Sequence, residues 1–140
     1  QEKQDIILMD PNEERLNFTN SSMEILPMVG NPTSIRDLEE AGIRKADLFI
    51  SVTPEETTNV AASILASKLG ARKTLTRINN YEYLLPKNKE LFEKMGIDSM
   101  IYPEMLDTDL ALTNCYIRRI DGPERVFNNE GAFIQRDFRT

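Results

Sequence analysis

At 140 residues the chain has room for one compact domain, and a content of 40% hydrophobic and 29% charged residues is typical of a globular protein rather than a disordered one. The net charge of -6 disfavours nonspecific binding to nucleic acid or anionic lipid, and no run reaches the roughly 18–20 apolar residues that a membrane span needs. The absence of histidine excludes a Ser-His-Asp triad and a His-ligated metal site, and the single cysteine, Cys115, indicates a reducing compartment. Because residue 1 is Gln rather than Met, we expect a processed chain or a fragment of a longer one.

Five segments have the composition of strands, and helix-like segments separate them. The predicted strands are, in chain order, residues 5–10, 23–29, 46–53, 73–78 and 100–102. The predicted helices start near Asn12, near Ile35, at Glu55 and near Asn79, and Pro86 splits the last one. Pro27 inside the second strand indicates an edge position or a bulge, because proline cannot donate to a strand ladder.

The segment at residues 46–53 shows the strand pattern most clearly. Its apolar middle carries no charge, which is typical of a strand that is buried on both faces of a parallel sheet. It ends at Thr53-Pro54, and a helix begins at once with acidic residues in its first turn, at the positive end of the helix dipole. A small hydroxyl residue at the carboxyl end of a buried strand, beside a helix start, lies where open α/β sheets bind their ligands.

Three glycines divide the chain at nearly even intervals. Gly42, Gly70 and Gly96 each end a predicted helix and precede a strand. Strand–helix units that alternate every ~25–30 residues predict an α/β fold with a doubly wound parallel sheet, Rossmann-like in architecture. We expect this partial domain to span residues 1–106. Residues 107–140 lack the helix pattern and are predicted to be a tail of uncertain structure. Within that tail, short strands are predicted at residues 115–117 and 132–134, around a turn at 121–123.

One part of a dinucleotide-binding sheet is missing. Such a sheet has a glycine-rich loop after its first strand and an acidic residue about 20 positions later, at the end of its second strand. Asp10 occupies the position of that acidic residue, but no glycine precedes it. The sheet therefore lacks its first strand and its glycine-rich loop, which would lie upstream of Gln1. Because the first strand is normally central, we expect upstream residues, another segment or another chain to fill its slot.

An ordered set of short runs carries a resemblance to one family. The runs are Ile7-Leu8-Met9-Asp10 with Glu14-Arg15-Leu16, Val29-Gly30-Asn31-Pro32-Thr33, Glu40-Ala41-Gly42-Ile43, Ala46-Asp47-Leu48-Phe49-Ile50-Ser51-Val52-Thr53, Thr58-Asn59, Thr76-Arg77-Ile78-Asn79-Asn80-Tyr81-Glu82-Tyr83 and Tyr102-Pro103-Glu104. Together they cover residues 5–106 and resemble the N-terminal nucleotide-binding (RCK or KTN) domain of the regulators of potassium conductance, in the Trk potassium uptake protein A family.

The resemblance implies a regulatory subunit of a potassium uptake system rather than an enzyme. Such a subunit binds NAD(H), or alternatively ATP or ADP, and is cytoplasmic and peripheral on the inner face of the cell membrane. The bound nucleotide would bias a homo-oligomer, a dimer or a larger ring, between two arrangements and so gate a membrane-embedded potassium transporter subunit. Nucleic acid is not an expected partner. NADP is disfavoured, because an acid at the end of the second strand repels a 2′-phosphate.

Carried over residue by residue, the resemblance assigns six positions to nucleotide binding and none to catalysis or to a metal. Asp10 would bind the adenosine ribose, Gly30 and Asn31 would lie along the adenine, Thr53 and Pro54 would line the cleft, and Arg77 would face the phosphates or the second ribose. We expect Asp10 and Thr53 to lie on the same rim of the sheet and to hold an adenosine between them. Some family members place a glutamate like Glu104 near a divalent cation, but a cap or a surface acid is the simpler interpretation here.

The main candidates also have structural explanations. Asp10 could cap the helix that starts near Asn12, and Thr53 could cap the helix that follows it. Asn31 could be a turn residue. Arg77 lies in an otherwise apolar strand, where an unpaired charge is costly to bury, so an ion pair with a helix acid is the alternative to a phosphate contact.

Two other functions fit the same fold. An NAD-dependent oxidoreductase fragment would need a general acid or base, and the Tyr-x-x-x-Lys spacing from Tyr83 to Lys87 spans a proline in a predicted helix. An interaction module without a ligand would assemble through the exposed edges of an incomplete sheet.

Overall fold

The computed structural model of the chain describes residues 3–16, 25–102, 115–121, 124–127 and 133–136, and strands and helices alternate in it up to residue 101. The strands are β1 (Lys3–Asp10), β2 (Ile25–Val29), β3 (Leu48–Ser51), β4 (Thr74–Arg77), β5 (Ser99–Ile101), β6 (Cys115–Asp121), β7 (Glu124–Phe127) and β8 (Phe133–Arg136). The α-helices are α1 (Glu13–Leu16), α2 (Ile35–Glu40), α3 (Glu56–Leu69) and α4 (Pro86–Lys94). Two 3-10 turns, Ile43–Lys45 and Tyr81–Leu84, precede β3 and α4.

The larger sheet has six strands in the order β2-β1-β6-β3-β4-β5. β1 pairs in parallel with β2, and β3, β4 and β5 pair in parallel with one another. All five predicted strands are present, with bounds that differ by one or two residues where the structure describes them. The predicted α/β, Rossmann-like architecture is therefore confirmed.

The central slot of the sheet is filled by a strand from the predicted tail. β6 lies between β1 and β3 and runs antiparallel to both, so the sheet is mixed rather than wholly parallel. Of the three fillers expected from the sequence, another segment of the same chain is the one found. The short strand predicted at 115–117 is longer than expected, the one at 132–134 corresponds to β8, and β7, which pairs with β8, was not predicted. The domain boundary at residue 106 stays a prediction.

The position of Pro27 matches its chemistry. Pro27 lies in β2, the outermost strand on one side of the sheet, where it pairs with Leu8 of β1. Proline has no N–H to give to a second neighbour, so an outermost strand accommodates it without a lost ladder bond. The edge position predicted from this residue is confirmed.

One face of the sheet packs against α2 and α3 to form the hydrophobic core. Ile7, Ile117 and Phe49 lie side by side on β1, β6 and β3 in the pairing register. All three are buried, and they cluster with Leu38 of α2 and Ala62 of α3. β6 therefore completes the core as well as the backbone ladder of the sheet.

Gly70 ends α3 in a conformation that other residues rarely adopt. Its φ angle is 136°, and a Cβ atom there would lie 2.9 Å from the backbone of Arg44. Only glycine permits that turn and that close approach, which confirms the helix end predicted at this position. α3 has 14 residues, and no helix among the described residues has both the length and the apolar content to cross a bilayer.

The burial of Ile117 makes the position of β6 testable. Ile117 is 0% exposed, so Ile117→Ala should lower the free energy of unfolding by about 2–5 kcal/mol through lost packing and a residual cavity. Urea unfolding measures the change. The control is Ile35→Ala, because Ile35 is 51% exposed and should cost less than about 1 kcal/mol. Equal effects of the two substitutions would mean that β6 is not in the core.

Candidate functional site

The carboxyl ends of the parallel strands meet at one edge of the sheet. β1 ends at Asp10, β3 at Ser51 and β4 at Arg77. The amino end of antiparallel β6 lies at the same edge, where Cys115 pairs with both Met9 and Ser51. In open α/β sheets this edge is where ligands bind, so it is the candidate site.

Asp10 and Arg77 lie on the same face of the sheet at this edge. One row of the pairing register crosses four strands through Leu8, Tyr116, Ile50 and Leu75. Asp10 and Arg77 each lie two residues beyond this row on their own strands, and residues two apart on a strand share a face. Three strand spacings of about 4.8 Å separate β1 from β4, so the backbone positions of the two residues lie about 14 Å apart.

The Asp10 carboxylate is enclosed. The residue is 1% exposed, its Oδ1 accepts the N–H of Asn12 at 2.8 Å, and its Oδ2 lies 3.7 Å from a guanidinium nitrogen of Arg15. The Asp10 carbonyl also accepts the N–H of Gly30 at 3.1 Å, which joins the ends of β1 and β2. Asp10 therefore supports the turn into α1, as its structural explanation predicted, and a ribose could reach it only by displacing part of these surroundings.

Gly30 and Asn31 form the turn after β2. Gly30 is buried, and a Cβ atom there would lie 3.4 Å from the Met9 side chain. The exposed Asn31 uses its side-chain oxygen to accept the N–H and the hydroxyl of Thr33, at 2.9 and 2.8 Å. Its backbone N–H donates to Asp37 at 2.9 Å. Asn31 is therefore a turn residue here, and any contact with a base would come from its amide nitrogen or its backbone.

Thr53 belongs to a polar network centred on Asn59 of α3. The buried Asn59 Oδ1 accepts the Thr53 hydroxyl at 2.7 Å, the Thr53 N–H at 2.9 Å and the Ser51 hydroxyl at 3.0 Å. Its Nδ2 donates to the carbonyls of Thr53 and Arg77, at 2.8 and 3.0 Å. The Thr53 hydroxyl also accepts the N–H of Glu55 at 3.2 Å. Asn59, which the sequence placed in a family run but gave no role of its own, thus ties the ends of β3 and β4 to α3.

Asp10 and Thr53 are at the same edge, as expected, but their side chains have different surroundings. The Thr53 hydroxyl is engaged by α3 and its preceding loop. Across the edge, Asp10 therefore shares a face of the sheet with Arg77.

A second carboxylate holds the loop that follows β4. Oε2 of Glu56 accepts the N–H groups of Asn79 and Asn80, at 2.8 Å each. The amide nitrogen of Asn79 reaches the carbonyl of the exposed Pro54 at 3.5 Å. Hydrogen bonds therefore join the first turn of α3 to the loop after Arg77. The exposed Pro54 precedes that turn and contacts the same loop.

The guanidinium of Arg77 has a hydrogen-bond donor at this edge that no described residue accepts. Its residue is half-buried, and its buried Nε has no hydrogen-bond partner among the described residues. The ion pairs of the described residues do not include Arg77, so the predicted alternative, a helix acid as its partner, is not observed there. A buried N–H without a partner is a position that an oxyanion can satisfy.

β6 brings titratable side chains to the centre of the sheet. The pKa of the Cys115 thiol is raised to about 12, mainly by burial. Its hydrogen bond with Ser51 lowers this pKa, and the charge of Asp10 raises it. Burial lowers the pKa of Arg118 to about 10, opposed by the charge of Asp47. Burial also raises the pKa of Tyr116. Nothing local in the sequence could have placed these groups beside β1 and β3, because the pairing is long-range.

β6 lies in the central slot beside this edge, between β1 and β3. Among the described residues no three His, Cys, Asp or Glu side chains are grouped so that they could hold a metal ion. Glu104 lies outside the described residues.

The Cys115 thiol gives the stability a measurable pH dependence. In the unfolded chain it ionises with its ordinary pKa of 9.0, whereas in the folded protein its pKa is about 12. An acid that ionises less readily in the folded state favours unfolding once the pH exceeds its unfolded pKa. From pH 9 to 11, the free energy of unfolding of the unmodified chain should fall further than that of Cys115→Ala, by up to about 2 kcal/mol in urea titrations. Arg118 is present in both proteins, so its titration cancels in the comparison. If the free energy of unfolding had the same pH dependence in both proteins, the Cys115 thiol would not be enclosed as the structure shows.

Comparison with known proteins identifies the family. A family model described as the TrkA-N domain matches residues 1–103, which contain β1 to β5 but not β6. A Trk system potassium uptake protein TrkA homolog of Methanothermobacter thermautotrophicus is 37% identical over 102 residues, 71% of this chain and 44% of that protein. A TrkA homolog of Archaeoglobus fulgidus is 29% identical over 132 residues, 94% of this chain and 29% of that protein.

A third relative agrees with these two. The Trk system potassium uptake protein TrkA of Haemophilus influenzae is 36% identical over 111 residues, 77% of this chain and 24% of that protein. The chain thus spans less than half the length of each of these relatives. Since the family match covers well over half of the chain and the fold agrees with it, this chain belongs to the TrkA-N domain family.

Proposed function

We propose that this chain is part of a regulatory subunit of a potassium uptake system and that its sheet edge binds NAD(H) or an adenine nucleotide such as ATP or ADP. The family match and the names of the relatives, which are Trk system potassium uptake proteins, support the potassium role. The proposal includes a homo-oligomer that is cytoplasmic, peripheral on the membrane and coupled to a membrane-embedded transporter subunit. We expect binding without turnover.

One observation carries the nucleotide proposal: a carboxylate and a guanidinium whose Nε has no hydrogen-bond partner among the described residues lie on one face of the same sheet edge. Asp10 ends β1, and Arg77 ends β4 two strands beyond β6. Their backbone separation of about 14 Å leaves room for a ribose at one end and phosphates at the other. A carboxylate accepts hydrogen bonds from two ribose hydroxyls, and a guanidinium donates to phosphate oxygens.

The surroundings of Asp10 indicate how a ribose would bind. The Arg15 guanidinium is the neighbour most easily moved, because its side chain is 60% exposed and the contact with Asp10 is long, at 3.7 Å. Ribose hydroxyls could replace it while the N–H of Asn12 keeps its hydrogen bond to Oδ1. A 2′-phosphate would bring negative charge against the buried carboxylate, so NADP should bind more weakly than NAD.

The Arg77 end of the site would discriminate by charge. The Nε of Arg77 lacks a hydrogen-bond partner among the described residues. Glu56 holds the loop that follows Arg77, and the Arg77 guanidinium is the cation at the end of β4. A phosphate there would satisfy a donor that is otherwise buried without compensation, which is more favourable than a contact in open solvent. Nucleotides with phosphates should therefore bind more tightly than adenosine.

Substitution of Asp10 tests the ribose contact. Asp10→Asn keeps the shape of the side chain and the acceptor for Asn12 but removes the charge, and binding of adenosine and of ADP should weaken equally, by about tenfold or ~1.4 kcal/mol. Isothermal titration measures both affinities. The matched control is Glu90→Gln on the exposed surface of α4, which should change neither affinity. Unchanged binding by Asp10→Asn would rule out the ribose contact.

Substitution of Arg77 tests the phosphate contact separately. Arg77→Met retains most of the apolar stem, and it should weaken ADP about tenfold while adenosine binding stays the same, because only ADP has the phosphates. The control is Arg36→Met, which removes an exposed cation from α2. An equal loss for adenosine and ADP would show that Arg77 acts on the fold of the edge and not on phosphate. Failure of the unsubstituted chain to bind any of the adenine nucleotides would overturn the nucleotide proposal as a whole.

A further inference from the structure

Hydrogen bonds from α3 and β5 hold the backbone at the point where β4 ends. Nδ2 of Asn59 in α3 donates to the Arg77 carbonyl at 3.0 Å. Arg77 pairs with Ile101 of β5 in the sheet, and the N–H of the next residue, Ile78, donates to the Ile101 carbonyl at 2.8 Å. The strand end that carries the Arg77 side chain is therefore attached on two sides.

The two residues that follow share one carboxylate oxygen. Oε2 of Glu56 accepts the N–H groups of Asn79 and Asn80, at 2.8 Å each. Glu56 lies three residues before Asn59 on α3, and residues three apart on a helix lie on the same side of it. One side of the first turns of α3 therefore holds both ends of the segment from Arg77 to Asn80.

Glu56 and the Arg77 side chain belong to opposite faces of the sheet. α3 packs on the face that contains Phe49, through Ala62. Phe49 pairs with Thr74, and Arg77 lies three residues beyond Thr74 on the same strand, which places it on the other face. Glu56 therefore supports the loop after β4 from the side of α3, while Arg77 lies on the face that it shares with the candidate ribose site.

We propose that Glu56 is the positioning residue for Arg77: by holding the N–H groups of Asn79 and Asn80 it keeps the end of β4 in place, so that the Arg77 guanidinium is presented to the phosphates of a nucleotide. This role rests on the proposed function and adds to it the group that orients the phosphate-binding residue. A guanidinium on a fixed backbone loses less conformational freedom when phosphate binds than one on a loose backbone, and the affinity is higher for that reason. Glu56 acts through Arg77 and not by contact with the nucleotide.

The negative charge of Glu56 gives the test its sign. A carboxylate near the end of β4 repels phosphate, so loss of the charge alone should tighten the binding of ADP. Loss of the two hydrogen bonds should weaken it, because the loop is released. Glu56→Ala removes both the charge and the hydrogen bonds, whereas Glu56→Gln removes the charge and keeps an oxygen that can accept both N–H groups. The two substitutions therefore separate positioning from charge.

Isothermal titration of the full chain with adenosine and with ADP measures both effects. Glu56→Ala should weaken ADP about tenfold and leave adenosine unchanged, whereas Glu56→Gln should bind ADP at least as tightly as the unsubstituted chain. In an Arg77→Met background, Glu56→Ala should have no further effect on ADP, because the residue through which Glu56 acts is gone. The matched control is Glu55→Ala, which removes the neighbouring exposed carboxylate, bonded to the Thr58 hydroxyl, and should not weaken ADP.

Three results would overturn the role of Glu56. Equal weakening of adenosine and ADP would mean a general loosening of the fold, and an additive loss in the Arg77→Met background would mean that Glu56 acts independently of Arg77. Tighter binding of ADP by Glu56→Ala would mean that the carboxylate competes with phosphate for the two N–H groups. If the unsubstituted chain binds ADP and Arg77→Met weakens it while Glu56→Ala does not, the positioning role alone fails and the proposed function stands.

Discussion

Backbone hydrogen bonding across the middle of the sheet is the constraint on which this structure depends. β1 and β3 are the inner strands of two parallel halves, and each would expose an unpaired, apolar edge if the slot between them were empty. β6 closes that slot by pairing with both. Its Ile117 also supplies the apolar surface between Ile7 and Phe49, so one segment joins two half-sheets into a single core.

The same strand determines the chemistry of the candidate site. With β6 in the slot, its Cys115 lies between Met9 and Ser51 at the edge of the sheet. Asp10 and Arg77 share one face, while Thr53 is held on the side of α3 by Asn59. The side chains that the structure brings to one face of this edge are therefore a carboxylate at one end and a guanidinium at the other.

Short-range sequence patterns predicted much of the fold, because they reflect the conformations and hydrogen bonds that neighbouring residues allow. Pro27 marked an outermost strand because it lacks a donor, and Gly70 marked a helix end because its backbone conformation and its distance from Arg44 exclude a Cβ atom. Of the six predicted site positions, Asp10, Thr53 and Arg77 proved to lie at one edge, because carboxyl ends of parallel strands converge. Asn31 kept its turn role. Asn59 stood in a family run but received no role, because one asparagine in a helix has no local pattern that distinguishes it from a surface residue.

The alternation of apolar runs, helix starts and glycine stops was sufficient, by itself, to determine an α/β domain with five parallel strands, and an ordered set of short runs was sufficient to indicate its family. Only the tertiary structure decided which segment occupies the centre of the sheet, in which direction it runs and where Arg118 and Cys115 are buried. The reason is physical: strand and helix signals act over a few neighbouring residues, whereas the pairing of Met9 and Ser51 with Cys115 joins segments far apart in sequence and is selected by backbone ladders that no local pattern encodes.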